Sequence, residues 1–222
     1  MTKVLEAQEA VKLVLDRSRL MIGGFGMVGS PELMISALLN WDVKDLIIVG
    51  NDMGAPDKGM GKVLLQDKIK KVIGSYYTWN PDAARYQREG KLEVELVPQG
   101  TYAEAIRAAG VGLGPFYTRT GAGTIYAEGK ETRVFDGQEQ ILEYPISADV
   151  AFIRAYKADR MGNLVYRKAA RNFNPLMAMA AKVTIAEVDE LVEVGDLSPE
   201  EIVTPFVFVD VIVPRNEGSV VN

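Results

Sequence analysis

Residues 23–31, GGFGMVGSP, form a glycine-rich segment between two apolar stretches. The apolar residues 20–22 before it indicate a strand, and the spacing of apolar residues from Glu32 to Leu39 indicates a helix. A glycine loop between a strand and a helix can bring backbone N–H groups close to an anion. The segment therefore predicts a loop that approaches a ligand, although a purely structural glycine turn is also compatible with it.

One interpretation of this loop is a dinucleotide site. Gly24, Gly26 and Gly29 have the G-x-G-x-x-G spacing, and Asp52 lies about twenty residues further on, where a ribose-binding carboxylate is expected. The chain would then be an NAD-type dinucleotide-binding domain of a dehydrogenase.

The residues after the glycines argue against a dinucleotide site. In a dinucleotide fold Pro31 would fall beyond the first helical turn, where a proline costs roughly 3 kcal/mol. With Ser30 as the N-cap and Pro31 as the first helical residue, that cost disappears. The helix then begins after all the glycines, and the loop is longer than a dinucleotide turn.

The composition limits which groups could perform chemistry. The 222 residues include no cysteine and no histidine, which excludes a cysteine nucleophile, a histidine base, disulfides and the usual zinc sites. The net charge is −5 and the basic clusters at 68–71 and 167–168 are short, so we expect solvated faces and neither a nucleic-acid nor a membrane partner. No apolar run is long enough to span a bilayer and no export signal is evident, which favours a cytoplasmic protein.

Strands alternate with helices in the first half of the chain, which predicts an α/β fold with an open, doubly wound, mostly parallel sheet and helices on both faces. A hairpin-like region at about 124–144 indicates a small antiparallel insertion, and we expect a single domain over residues 1–222. The pattern predicts helices at 32–40, 82–89 (opened by Asn80-Pro81-Asp82), 101–109 and 174–181, a capping box at 198–201, and strands at 45–49, 71–75, 92–97, around 125, 133–135, 141–143, 150–156, 164–166, 183–187 and 207–213.

Two amide side chains follow predicted strands. Asn51 comes after the strand at 45–49, and Gln99 comes after the strand at 92–97. In open α/β sheets, ligands bind at the carboxyl ends of strands. If these strands are neighbours, both amides and the glycine loop share one rim, which offers neutral donors to an oxyanion. Either residue alone is also an ordinary turn residue.

Taken together, the motifs resemble the first (alpha) subunit of family I CoA-transferases over residues 4–213. The family signature is an acidic residue, then three apolar residues and G-G-F-x-x-x-G-x-P. Here it corresponds to Asp16, residues 20–22 and residues 23–31, although Arg17 stands where the family has Gly or Asn. Further matching motifs are GND at 50–52, VPQGT at 97–101, TRTGAGT at 118–124, KADRMGN at 157–163 and RNFNP at 171–175.

The resemblance implies a two-subunit enzyme. In this family the catalytic glutamate belongs to the second subunit, in a Ser-Glu-Asn-Gly context, and that tetrapeptide is missing here. The partner's glutamate would attack an acyl-CoA thioester, and a short-chain carboxylate such as acetoacetate, acetate or butyrate would receive the CoA in ping-pong fashion. The implied assembly is an alpha2beta2 hetero-oligomer with coenzyme A as substrate, no permanently bound cofactor and no metal.

The resemblance also implies roles for individual residues. Gln99 would donate a hydrogen bond to the oxyanion, and Asn51 would contact the substrate or the CoA arm. The residues expected to line the CoA site are Gly23, Gly24, Phe25, Gly26, Met27, Val28 and Gly29. Besides the dehydrogenase domain, a CoA-dependent regulatory or scaffold protein stays open as an alternative.

Overall fold

The computed structural model describes residues 2–215, so the ends of the expected domain 1–222 lie outside the described residues. Within this range the main sheet has nine strands: β1 (Lys3–Val4), β2 (Arg19–Ile22), β3 (Leu46–Gly50), β4 (Ile69–Gly74), β5 (Glu93–Leu96), β9 (Ala148–Asp159), β10 (Leu164–Val165), β11 (Ala181–Val192) and β12 (Val211–Pro214). Their order is β1-β12-β11-β9-β2-β3-β4-β5, with β10 paired to β9. Among these nine strands only β10 is antiparallel to its neighbour.

Helices cover both faces of this sheet, which confirms the predicted doubly wound α/β architecture. The α-helices are α1 (Ala7–Ala10), α2 (Glu32–Leu39), α3 (Met60–Leu64), α4 (Pro81–Arg88), α5 (Gln99–Gly110) and α6 (Asn174–Ala180). Apolar side chains of α1 to α4 pack on one face with Leu20 and Ile48, and those of α5 and α6 pack on the other face with Met21 and Val49. Because successive side chains of a strand point to opposite faces, both faces of β2 and β3 are buried.

The antiparallel insertion is also confirmed. It consists of the short strands β6 (Phe116–Thr118), β7 (Thr132–Phe135) and β8 (Gln138–Glu143). They pair in the order β6-β8-β7, and all their pairs are antiparallel. The exposed side chains of this region, such as those of Val134 and Tyr144, show that the small sheet has an open face in the isolated chain.

The register places several chain segments at one edge of the main sheet. Ile22, the last residue of β2, pairs with Gly50 of β3 and with Phe152 of β9. The paired strands β9 and β11 continue for several residues past this level and form a wall beside the carboxyl end of β2. The glycine loop therefore begins at the carboxyl end of β2, beside the longer strands β9 and β11. Ligands of open α/β folds bind at this edge of the sheet.

Four local predictions are wrong. Ile125 lies in a 3₁₀ turn, because the Thr124 hydroxyl accepts the Tyr126 N–H and begins a turn instead of a strand. The capping box at 198–201 is a 3₁₀ turn without a side-chain cap. The final strand is confined to β12, because Pro205 opens a 3₁₀ turn before it. The helix α3 (Met60–Leu64) has no counterpart among the predicted helices.

Candidate functional site

Two asparagines that are distant in sequence hold the glycine loop. The Gly24 N–H donates to Asn172 Oδ1 at 3.2 Å, and Asn172 Nδ2 donates to the Val28 carbonyl at 2.9 Å. The fully buried Asn174 donates from Nδ2 to the Gly29 carbonyl at 3.1 Å. Both ends of the loop are therefore fixed to the segment that opens helix α6.

Most backbone donors of the loop are already used within the protein. Gly24 donates to Asn172 as above, Phe25 and Val28 exchange two hydrogen bonds of 3.0 and 3.1 Å, and the Gly26 N–H donates to Asp52 Oδ2 at 2.7 Å. These N–H groups cannot cradle a phosphate without breaking bonds, contrary to the expectation that the loop offers its donors to an anion. The loop can therefore line a binding site by its shape, but it does not bind a phosphate through its backbone N–H groups.

Helix α2 begins differently from the prediction. Pro31 occupies the N-cap, the helix starts at Glu32, and the Ser30 side chain makes no cap. The cap comes instead from strand β11, where Glu187 Oε2 accepts the N–H groups of Leu33 at 2.8 Å and Met34 at 3.1 Å. Because this buried carboxylate satisfies the first free N–H groups, the Ser30 hydroxyl is not needed for that purpose.

The predicted amide pair forms. Gln99 Nε2 donates to Asn51 Oδ1 at 3.0 Å, although β4 lies between the two strands that carry these residues. Ser75, directly after β4, donates its hydroxyl to the same oxygen at 2.7 Å. The carboxyl ends of β3, β4 and β5 thus contribute one residue each to a polar cluster, in which Asn51 is buried and Gln99 is exposed.

Gln99 is itself the first residue of helix α5, whereas the prediction had that helix begin two residues later. Pro98 is the N-cap, and its carbonyl accepts the Tyr102 N–H at 2.8 Å. A proline with fixed φ before the first turn favours this earlier start. The Gln99 amide therefore projects from the positive end of a twelve-residue helix, which favours negative charge nearby.

Two buried tyrosines lie beneath the polar cluster. Tyr77 donates its hydroxyl to the Gly50 carbonyl at 3.2 Å, and Tyr102 packs edge-on against Phe173 with ring centroids 5.3 Å apart. Burial raises the pKa of both hydroxyls well above the usual value, and the Asp52 carboxylate adds to the effect. Both hydroxyls stay protonated at neutral pH, so the two tyrosines support the polar cluster by packing and do not act as general bases.

The structure brings most of the expected site residues together. Gly23, Gly24, Gly26, Met27 and Asn51 line one small cavity. Met27, Val28 and Gly29 also line a groove of about 540 Å³, which is lined in addition by Arg154, Arg167 and Lys168.

Apolar side chains surround the polar cluster. Phe25, Val28, Tyr76, Trp79 and Leu96 are all exposed, and a Cβ placed on Gly26 would lie 3.2 Å from the Trp79 ring. Exposed apolar residues around buried polar groups are typical of a surface that a second chain covers.

Sequence reasoning missed the roles of five residues around the loop: Asp52, Ser75, Asn172, Asn174 and Glu187. Asp52 was considered only as a ribose ligand, and it is engaged with loop and backbone donors instead. Three of the five, Asp52, Asn172 and Asn174, lie in the motifs GND and RNFNP. Their polar side chains within these motifs were the only indication in the sequence that they have a role.

Two further properties concern the described residues as a whole. In residues 2–215, no helix is both long and apolar enough to cross a bilayer. The same part of the chain contains no group of three or more acidic side chains placed to hold a metal ion.

Comparison with known proteins gives a consistent picture. The family model described as "Coenzyme A transferase" matches residues 4–215. The first subunit of a probable succinyl-CoA:3-ketoacid coenzyme A transferase of Bacillus subtilis is 51% identical over 96% of this chain and 90% of its own length. The alpha subunit of the acetate CoA-transferase of Escherichia coli K12 is 45% identical over 98% of this chain and 99% of its own.

Solved structures agree on the fold. The acyl-CoA transferase YdiF of E. coli O157:H7, solved as a thioester complex with CoA, superposes with a TM-score of 0.87 at 22% identity, over 96% of this chain. This chain spans only 47% of the YdiF chain. The dinucleotide interpretation is not supported: the relatives are transferase subunits, α2 begins after all the glycines, and Asp52 is already bonded.

Proposed function

This chain belongs to the coenzyme A transferase family, and we propose that it is the alpha subunit of an enzyme that transfers CoA from an acyl-CoA to a short-chain carboxylate. The observation that carries the proposal is the amide pair Asn51–Gln99, which lies at the carboxyl ends of the strands beside the glycine loop. It offers neutral hydrogen-bond donors and lacks a nucleophile of its own.

The nucleophile in this proposal is a glutamate of the partner subunit. Its carboxylate attacks the thioester carbonyl, so that an acyl-glutamyl anhydride forms and the CoA thiolate leaves. The thiolate then attacks the glutamyl carbonyl of the anhydride, which releases the acyl group as a carboxylate and forms a glutamyl-CoA thioester. The acceptor carboxylate attacks that thioester, and the same steps in reverse give the new acyl-CoA and free glutamate.

Each step passes through a tetrahedral oxyanion, and Gln99 is the residue of this chain best placed to stabilise one. One N–H of its amide is held by Asn51, which leaves the second N–H for the developing charge. The position of Gln99 at the start of α5 adds the positive end of the helix dipole. Asn51, buried beneath, contacts the substrate or the CoA arm.

The glycine loop forms the CoA-facing wall. Residues of this loop line both the small cavity beside Asn51 and the groove at Met27, so the ligand is placed along the loop. The residues assigned to this wall are Gly23, Gly24, Phe25, Gly26, Met27, Val28 and Gly29. Water exclusion matters here, because water would hydrolyse the anhydride, and the exposed Phe25 and Trp79 supply apolar cover when the partner docks.

The substrates are proposed from the relatives' names. The two named relatives carry 3-ketoacid and acetate in their names, which supports acetoacetate and acetate as exchanged acids. Butyrate is proposed beside them from the sequence resemblance alone. Both relatives are named as subunits, which supports a separate beta chain, and we propose an alpha2beta2 assembly. The chain acts as one domain over residues 1–222 in the cytoplasm, with coenzyme A as substrate and no permanently bound cofactor.

Coexpression tests the function. The chain is produced with and without a second subunit that contains Ser-Glu-Asn-Gly, and CoA transfer from acetoacetyl-CoA to acetate or butyrate is measured. We expect activity only in the complex, with the parallel double-reciprocal lines of a ping-pong reaction. Transfer by the chain alone would contradict the proposal. A complex that binds CoA without transfer would favour the regulatory alternative.

The assignment of Gln99 is tested in the same assay. Gln99→Ala in the complex is expected to lower kcat by roughly 10²–10³, the usual cost of losing one oxyanion donor. Gln66→Ala, at an exposed glutamine after α3, is the matched control and is expected to leave kcat unchanged. An unaltered kcat in Gln99→Ala would remove it from the site.

A further inference from the structure

Asp52 accepts hydrogen bonds from three different donors. Its Oδ2 accepts the Gly26 N–H at 2.7 Å and Asn51 Nδ2 at 3.0 Å, and its Oδ1 accepts the Gly54 N–H at 2.9 Å. The carboxylate thus contacts the glycine loop, the amide pair and its own turn at once. It makes no hydrogen bond to Gln99, the residue proposed to meet the reacting carbonyl.

These contacts decide which way the Asn51 amide faces. A carboxylate can only accept hydrogen bonds, so Asn51 must turn its NH₂ group toward Asp52. Its carbonyl oxygen then faces the opposite direction, where Ser75 Oγ lies at 2.7 Å and Gln99 Nε2 at 3.0 Å. With the amide reversed, Asn51 would present its carbonyl oxygen to the carboxylate and its NH₂ group to Gln99.

The orientation of Asn51 in turn fixes Gln99. Because Asn51 presents an oxygen, Gln99 must present its NH₂ group, and the second N–H of that group points away from Asn51. A reversed Gln99 would offer a carbonyl oxygen and repel an oxyanion. Asp52 can only accept hydrogen bonds, which fixes the orientation of the Asn51 amide. The Asn51 amide in turn fixes the orientation in which Gln99 acts as a donor.

We propose that Asp52 is a positioning residue that, through Asn51, holds the Gln99 amide with its N–H toward the reacting carbonyl. The proposal rests on the proposed function of this site. It assigns Asp52 a task in transfer chemistry, in place of ribose binding. It also means that one side chain anchors both the CoA-facing loop, at Gly26, and the oxyanion donor.

The test is a double-mutant cycle in the complex with the partner subunit. Asp52→Asn retains size but can present an NH₂ group to Asn51, so the amide orientations are no longer dictated. We expect kcat to fall by about tenfold or more while the KM for acyl-CoA changes less than about threefold. In a Gln99→Ala background the same substitution is expected to change kcat by less than about twofold, because the group that it positions is gone. Asp57→Asn is the control, because Asp57 is an exposed residue of the segment between β3 and α3 that also contains Asp52.

Three results would overturn the inference: an unchanged kcat in Asp52→Asn, an equal loss in both backgrounds, or a rise in KM alone. The second would show that Asp52 acts through the loop or the fold. Wild-type activity in the same series reports on the proposed function separately. If Asp52→Asn fails to assemble, Asp52→Ser replaces it, because its hydroxyl can also donate to Asn51, and its loss of kcat should likewise vanish with Gln99→Ala. A neutron structure of the Asp52→Asn complex gives a readout without activity, because it distinguishes amide nitrogen from amide oxygen, and a Gln99 NH₂ group that still donates to Asn51 Oδ1 there would also refute the inference.

Discussion

The side-chain oxygen of Asn174 occupies the space beside Gly23 so closely that a Cβ on Gly23 would lie 1.9 Å from it. Asn174 cannot retreat easily, since it is fully buried and its Oδ1 also accepts the Arg154 N–H at 3.0 Å. Gly23 is therefore required by a side chain 151 positions away in the chain rather than by its own backbone conformation (174 − 23 = 151).

Gly23→Ala is accordingly expected to destabilise the chain by about 2 kcal/mol or more, because Asn174 must move and leave buried donors and acceptors unpaired. Urea unfolding followed by circular dichroism measures the loss. The matched control is Gly114→Ala, since a Cβ on Gly114 has no atom within 4 Å. Equal midpoints for the two variants would contradict the steric explanation.

Asn172 is expected to matter for binding of acyl-CoA. Its φ of +21° would strain an alanine, so Asn172→Gly is the cleaner way to remove its bonds to Gly24 and Val28. With the loop released at this point, we expect the KM for acyl-CoA to rise about tenfold in the complex, with kcat less affected. A rise in KM no larger than that of Asn40→Gly, an exposed asparagine after α2, would refute this role.

The same variant can be followed by fluorescence. Trp79 lies against Gly26 of the loop, whereas Trp41, the other tryptophan of the chain, donates its Nε1 hydrogen to the Val14 carbonyl at 2.8 Å. Asn172→Gly is expected to shift the Trp79 emission, and a Trp41→Phe background isolates that signal. An emission spectrum identical to that of the parent would show that the loop keeps its conformation.

The features that sequence alone predicted well depend on local rules. Asn80 caps α4 as expected, because its Oδ1 accepts the Asp82 N–H two residues on, at 3.0 Å. The meeting of Asn51 and Gln99 was also predictable, since parallel strands end at the same sheet edge. Both predictions needed only short-range chemistry or a general topological rule.

The features that sequence did not predict depend on contacts between distant segments. Nothing near Ser30 shows that α2 is capped by Glu187, whose bond to Leu33 spans 154 positions. The bond from Gly24 to Asn172 spans 148 positions. Glu187 and Asn172 can make these bonds only after the sheet has brought β11 and the start of α6 beside the glycine loop. Hydrophobic periodicity does not predict which distant segments become neighbours in this way.

Lys68 was expected to be a solvated member of a basic cluster, but its ammonium group donates to three carbonyls at the end of α2. The distances are 3.0 Å to Leu38, 2.8 Å to Leu39 and 2.6 Å to Trp41. Lys68→Met is expected to lower the free energy of unfolding by about 1–3 kcal/mol, because these carbonyls lose a charged partner at the negative end of the helix. Lys70→Met, two residues on and exposed, should cost far less, and equal losses in urea unfolding would argue against the cap.

Glu187 is expected to make stability depend on pH. Burial raises its pKa from 4.5 to about 7, opposed by the helix N–H groups of Met34 and Leu33 and by Arg215 and Arg154. Arg215 Nη1 lies 3.3 Å from Oε1. Because the folded chain keeps this proton where the unfolded chain releases it, the contribution of Glu187 to stability is greatest below about pH 4.5 and falls as the pH rises toward 7.

Glu187→Gln replaces the titratable carboxyl group with a neutral amide, which still has an oxygen that can accept the helix N–H groups. The unfolding free energy of the parent, measured relative to that of Glu187→Gln, is expected to fall by roughly 3 kcal/mol between pH 4.5 and 7 and to stay constant above pH 8. Other carboxylates titrate alike in both proteins and cancel in the difference. Urea unfolding at each pH gives the two curves, and curves that run parallel from pH 5 to 8 would show that Arg215 and the helix N-terminus keep Glu187 ionised throughout.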